Sequence, residues 1–114
     1  MLLLTDSYML DARIQQLPDY HREIYIRLGI LADTDGYIRV KDPEALVRRV
    51  YPEFDYPEEM VLDAVDNLKR VHLLYQHHDK KADMEVFRHV LPLDYHHDDI
   101  KWPDEEDAEE ENHA

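Results

Sequence analysis

Apolar residues along this chain recur first at helical spacing, then in short extended runs, then hardly at all. Leu17, Tyr20, Ile24, Leu28 and Leu31 step by three or four and define one helical face, starting near Pro18. Asp19 and Glu23 suit its first turn. Tyr25, Ile26 and Ile30 widen the face, which predicts a central helix. Ala32-Asp33-Thr34-Asp35-Gly36 ends it as a turn in which Gly36 takes a positive φ. Tyr37-Ile38-Arg39-Val40 is too short for a helix and reads as a strand. Asp42-Pro43 is an N-cap with a first-turn proline. It opens a second helix, Glu44 to about Val50, with Leu46 and Val50 inward, stopped by Tyr51-Pro52. Asp55-Tyr56-Pro57-Glu58-Glu59 starts a third, carrying Met60, Val61, Ala64, Val65, Leu68 and Val71 at helical spacing. Leu73-Leu74-Tyr75-Gln76 and Met84-Glu85-Val86-Phe87 then flank the polar His78-Asp79-Lys80-Lys81. That predicts a β-hairpin, although its turn lacks the usual glycine.

The predicted fold class is therefore α+β, a winged helix-turn-helix over residues 17–93. It comprises three helices, a short strand that closes a small sheet, and a C-terminal β-hairpin wing. Residues 1–16 show no clean period and read as a lead-in; residues 94–114 read as an acidic, flexible tail. Leu28, Leu46, Leu68 and Val86 are expected to share one core.

Several segments together resemble the winged-helix domain of phage replication-initiation (replisome organiser) proteins. They are Leu17-Pro18, the run from Arg22 to Leu28, Ala32-Asp33-Thr34-Asp35-Gly36 and Asp42-Pro43-Glu44-Ala45-Leu46. Val50-Tyr51-Pro52, the run from Val61 to Leu68, Leu74-Tyr75 and Met84-Glu85-Val86 continue the likeness in register. It covers about residues 11–93. The resemblance implies a replication-associated DNA-binding module, encoded by a phage or prophage and acting in the cytoplasm of a bacterial host. Such proteins usually place a glycine between the third helix and the wing, where this chain has Val71-His72. They also generally continue into a second domain, whose place an acidic tail takes here.

Charge changes the picture. The chain carries a net −14, of which residues 94–114 hold −9 and residues 1–93 only −5. A chain this acidic is repelled by nucleic acid as a whole, and membrane-surface binding is not expected; only a local basic patch reverses that. The absence of cysteine excludes disulfide scaffolds and thiolate zinc sites, and two glycines cannot build a phosphate-cradling loop. No apolar run approaches the ~20 residues that span a bilayer. Met1-Leu2-Leu3-Leu4 is interrupted by Thr5 and Asp6, so no signal peptide is expected.

The helix that would enter a major groove begins with Glu58-Glu59 and continues with Asp63 and Asp66, carboxylates that repel phosphate. Glu58 and Glu59 are accounted for by the helix dipole alone. The basic residues cluster elsewhere: Arg39 and Lys41, Arg48 and Arg49, Lys80 and Lys81, and Arg88. These are the candidate DNA-binding residues, with Lys80 and Lys81 at the wing tip; ordinary solvated lysines and arginines are the simpler account. His77-His78 and His96-His97-Asp98-Asp99 are dense, but neighbours on a strand point to opposite faces and no helical histidine pair exists. No metal or other cofactor is expected. With one serine and no nucleophile beside a base, the chain reads as a non-enzyme without a small-molecule substrate.

Tyr51, Tyr56 and Tyr75 fall around the expected core. Tyr95 and Trp102 lie outside the periodic body. Trp102, flanked by acidic residues, is a docking element for a protein partner, or it folds back on its own domain. Asp104, Glu105, Glu106, Asp107, Glu109, Glu110 and Glu111 put seven carboxylates in eight positions, a second candidate partner-binding segment. The first reading is a nucleic-acid-associated adaptor with weak DNA contact through the wing. Two alternatives fit the same composition: an acidic DNA mimic that fills a basic cleft of a host protein, and a structural or oligomerisation module.

Overall fold

Two proline signals and one aspartate cap set the three longest helices. The computed structural model of the protein describes residues 6–52 and 57–91, with Ile100 and Trp102. Among these the chain forms α1 (Asp6–Leu10), α2 (Ala12–Gln15), α3 (Asp19–Leu31), β1 (Tyr37–Val40), α4 (Pro43–Val50), α5 (Glu58–Arg70), β2 (Leu74–Asp79) and β3 (Met84–His89). α3 and α5 begin directly after Pro18 and Pro57. Asp42 caps α4, its Oδ1 accepting from the Ala45 N–H at 2.8 Å. The strands make one antiparallel sheet in the order β1-β3-β2, an α+β arrangement compatible with a winged-helix-like fold.

One layer of helices covers the inner face of the sheet. Ile24, Tyr25 and Leu28 of α3, Leu46 and Val50 of α4, and Val61, Ala64 and Leu68 of α5 meet Ile38, Val40, Leu74 and Phe87 in one buried core. Each fully buried aliphatic side chain contributes roughly 1.5–3 kcal/mol over its exposed state. Two polar side chains that enter this core, Tyr25 and His89, bond to backbone carbonyls. The Tyr25 hydroxyl donates to the Val90 carbonyl at 2.7 Å, and the His89 ring stacks on Tyr25 at 4.4 Å while its Nε2 donates to the Tyr25 carbonyl at 3.0 Å. These bonds tie α3 to the last strand.

Both missing glycines have substitutes. At the end of α5 His72 takes φ 64. Its N–H donates to the Lys69 carbonyl at 3.2 Å and the Leu73 N–H to the Leu68 carbonyl at 2.9 Å, the two bonds of a Schellman cap. In the hairpin Asp83 takes φ 52 and closes the turn. Gly36 is needed for a different reason. It sits at φ 91, and a Cβ there would run into the Arg88 guanidinium and the His89 carbonyl.

Several expectations are corrected. Within the lead-in, which shows no clean period, the described residues form α1 and α2, and Ile14 is fully buried in the core. Asp11 caps α2, accepting from the Arg13 N–H at 2.8 Å and pairing with its guanidinium at 2.7 Å. Arg13 also donates to the His72 carbonyl at 3.2 Å, which fastens this segment to the α5 cap. Burial pushes the Asp11 carboxyl up, but the hydrogen bonds and charge of Arg13 outweigh it and hold the group below its usual range. Ile30 and Met60, placed on apolar faces by spacing alone, are 61% and 38% exposed. The strands are also longer than predicted, so that His78 and Asp79 belong to β2 and the turn is Lys80 to Asp83. Val86 is fully buried but does not join the core of Leu28, Leu46 and Leu68. Strand alternation sends it to the outer face of the sheet, and Phe87 points inward in its stead.

Candidate nucleic-acid interface

The register of the sheet decides which basic residues meet. Arg39 pairs with Val86, Asp79 pairs with Met84, and the two lysines follow Asp79 directly. The C-terminal end of β1 and the hairpin turn therefore lie at the same end of the sheet. Asp79, only 4% exposed, organises that end. Its Oδ1 accepts from the N–H groups of Lys81 and Ala82 at 3.0 and 3.2 Å, an aspartate-capped turn that fixes the backbone under both lysines. Its other oxygen lies 3.9 Å from the Arg39 guanidinium, reaching across β3. From α4 the Arg49 guanidinium donates to the Arg39 carbonyl at 3.2 Å.

Arg39, Arg49, Lys80 and Lys81 are thus brought to one end of the fold, and all are exposed. Lys41 follows β1 at that same end, and Arg48 is exposed on α4. Arg88 is not part of the group. It pairs with Tyr37, its guanidinium lies 5.5 Å over that ring, and it donates to the His89 carbonyl. Its neighbourhood is the turn after α3, where a cavity of about 280 Å³ is lined by Asp33, Thr34, Asp35, Gly36 and Arg88.

α5 presents a different surface. Glu59, Asp63 and Asp66 are exposed and spaced by four and three, one carboxylate stripe along the helix. Asn67, a base-reading side chain in other settings, is engaged: its amide donates to His21 Nδ1 at 3.0 Å. Lys69 likewise donates to Gln76 Oε1 at 2.8 Å. The helix that would enter a groove therefore offers negative charge along its middle, with Arg70 exposed at its last turn.

His21 adds a pH dependence. The Asn67 bond leaves its proton on Nε2, a buried atom with no hydrogen-bond partner among the described residues. Burial pushes the imidazole below the usual histidine range, against a smaller upward pull from Asp63. Between the lowered folded value and the unfolded value of about 6.5, the unfolded chain binds the proton and the folded one does not. Stability from this site is complete above about pH 6.5 and falls as the pH drops through that window. Denaturant unfolding at about pH 7.5 and about pH 5.5 should show this loss, and His21→Gln should remove part of it. An identical pH response in both proteins would contradict the assignment.

The histidine-rich sites resolve separately. His77 and His78 point to opposite faces of β2, and His78 meets Asp83 at 3.3 Å and Glu85 at 3.2 Å. Among the described residues no group of three His, Asp or Glu side chains is placed to hold a metal ion. His96, His97, Asp98 and Asp99 lie outside the described residues, as do Tyr56, Tyr95 and the acidic positions from Asp104 to Glu111. Trp102 is described, and it is folded back. Its ring stacks on His77 at 5.0 Å and meets Tyr37 edge-on at 6.0 Å. The spacing Tyr37-x-Arg39 and Tyr75-x-His77-x-Asp79 carried this outer face in the sequence, but only the strand register shows that it is one surface.

No protein-family model and no curated protein matches this sequence. A solved structure, the "N-Terminal domain of DNA binding protein", superimposes with a TM-score of 0.54 over 98% of this chain and 86% of that one, at 16% identity. At that identity the likeness is one of fold. Among the described residues no helix is long and apolar enough to cross a membrane.

Proposed function

We propose that this protein is a winged-helix, nucleic-acid-associated adaptor of the phage replication type, without enzymatic activity. It touches duplex DNA weakly through the basic end of the sheet and meets a protein partner through its acidic tail, in the cytoplasm of a bacterial host. The observation that carries the reading is the convergence of Arg39, Arg49, Lys80 and Lys81 on a turn fastened by Asp79, in a chain of net −14. The sequence resemblance over residues 11–93 and the fold likeness to a domain of a DNA-binding protein support it. Phosphate contact by a few exposed cations gives weak, salt-sensitive binding, with a slope of about −0.9 per phosphate neutralised. The acidic face of α5 turns away from the backbone in this mode.

Titration of a mixed-sequence duplex at low and moderate salt tests it. Replacing Lys80 and Lys81 by Ala should lower the salt slope by about two phosphate equivalents. A normal slope in that variant, with binding lost instead in Glu59→Ala or Arg70→Ala, would reverse the assignment. One observation favours a second reading. The stripe of Glu59, Asp63 and Asp66 repeats carboxylates at regular spacing, as a DNA mimic would. A mimic fails to bind the duplex at any salt and binds a basic partner instead.

A further inference from the structure

The outer face of the sheet gathers aromatic rings and guanidinium groups. Register places Tyr37, Arg88 and Tyr75 in one row across the three strands, and Arg39, Val86 and His77 in the next. Neighbouring strands lie ~4.8 Å apart, so β1 and β2 are about 10 Å apart with β3 between them. The Trp102 ring is 5.0 Å from His77 on β2 and 6.0 Å from Tyr37 on β1. It therefore lies over β3. Val86, the β3 residue between Arg39 and His77, is fully buried although it stands outside the main core. The ring is nearly parallel to His77, at 16°, which is a face-to-face stack.

We propose that this face is a stacking platform for an unpaired nucleic-acid strand, and that Trp102 occupies a base position on it in cis. Three observations point the same way. The face accepts a flat heteroaromatic ring, because one is there. Two guanidinium groups, Arg39 and Arg88, flank the rings, and the carboxylate on this face, Asp79, is nearly buried and committed to Arg39 and the turn. The exposed middle of α5, by contrast, is acidic, whereas this face keeps aromatic rings and cations together where a base and its phosphate would need both. A duplex does not present its base faces and cannot use such a platform; an unpaired strand does. The inference rests on the outer face of the sheet and not on the Lys80–Lys81 turn, so variants of that turn separate it from the duplex reading.

Trp102 is the only tryptophan of the chain, and its emission reports the platform directly. The full chain is titrated at low salt with thymidine and uridine oligomers of about 20 nucleotides, and with a duplex of equal length. As an oligomer takes the platform, the emission should shift to the red and become more open to acrylamide quenching. Trp102→Ala, which removes the competitor without touching the main core, should bind the oligomer about three- to tenfold more tightly. His77→Ala in that background should weaken binding about tenfold, and Lys80→Ala with Lys81→Ala should leave it within about twofold while reducing duplex binding. Preference for thymidine assigns DNA and preference for uridine assigns RNA; equal affinity assigns an unselective single-strand site. The proposal is overturned if neither the wild type nor Trp102→Ala binds an oligomer, or if the duplex moves the emission equally. It is also overturned if His77→Ala is without effect, or if an aromatic peptide displaces Trp102 and the oligomers do not. Should Trp102→Ala misfold, the quenching experiment on the wild type decides alone.

Discussion

Leu68→Ala should lower the free energy of unfolding by about 2–5 kcal/mol. Leu68 is fully buried near the C-terminal end of α5, and that helix packs against α3, α4 and β2. Truncation there removes the apolar transfer term and leaves a cavity that three rigid elements cannot easily fill. A domain of this size has a total stability of roughly 5–15 kcal/mol, so the loss is a large share of it. Met60→Ala in the first turn of the same helix is the control. Its side chain is 38% exposed, and about 0.5 kcal/mol is expected. Urea unfolding of both variants against the wild type measures the difference. A loss below about 1 kcal/mol for Leu68→Ala would mean that α5 is not seated as described.

Neutralising the acidic run should tighten DNA binding about tenfold at low salt. The run is Asp104, Glu105, Glu106, Asp107, Glu109, Glu110 and Glu111, lying in the 94–114 segment that carries −9 of the chain's −14. Replacing these seven by Asn and Gln halves the net charge, to −7, while retaining Trp102 and the length of the chain. Two mechanisms lead to the same outcome: the tail competes with phosphate for Arg39, Arg49, Lys80 and Lys81, or it repels DNA at a distance. Both are electrostatic, and both should fade as salt rises past about 0.15 M, where the Debye length is ~8 Å. Fluorescence anisotropy with a labelled duplex, at two salt concentrations, reads the effect. Equal affinity at every salt would leave the tail a solubilising role only.

Much of the fold was legible because local rules and global packing agree here. The strand Tyr37–Val40 and the helix capped by Asp42-Pro43 fall where turn chemistry and period put them. The departures have specific causes. Val86 and Phe87 are both apolar, so alternation alone could not say which faced the helices until β3 was paired with β1 and β2. Ile30 and Met60 lie at the border of the apolar face, and their sequence neighbours Gly29 and Val61 take the inward positions. α1 and α2 are too short to carry a period; Ile14 and Tyr8 pack them on the core and Arg13 ties them to the α5 cap. The left-handed residues His72 and Asp83 do the work of glycine and gave no compositional sign of it. Among the basic positions, sequence order grouped Arg88 with the others, and register separated it. Nothing local in the sequence could bring Trp102 to His77 and Tyr37, since that contact joins the 94–114 segment to two strands.

The central claim is that duplex DNA meets the basic end of the sheet and not the exposed face of α5. Backbone amide shifts of the isotope-labelled full chain, followed by NMR as a duplex is added, test it most directly. The account predicts the largest shifts at Arg39, Lys41, Arg49, Lys80 and Lys81, diminishing together as salt is raised, with Glu59, Asp63 and Asp66 unmoved. Shifts concentrated along Glu59 to Arg70 and absent from the hairpin turn would contradict it.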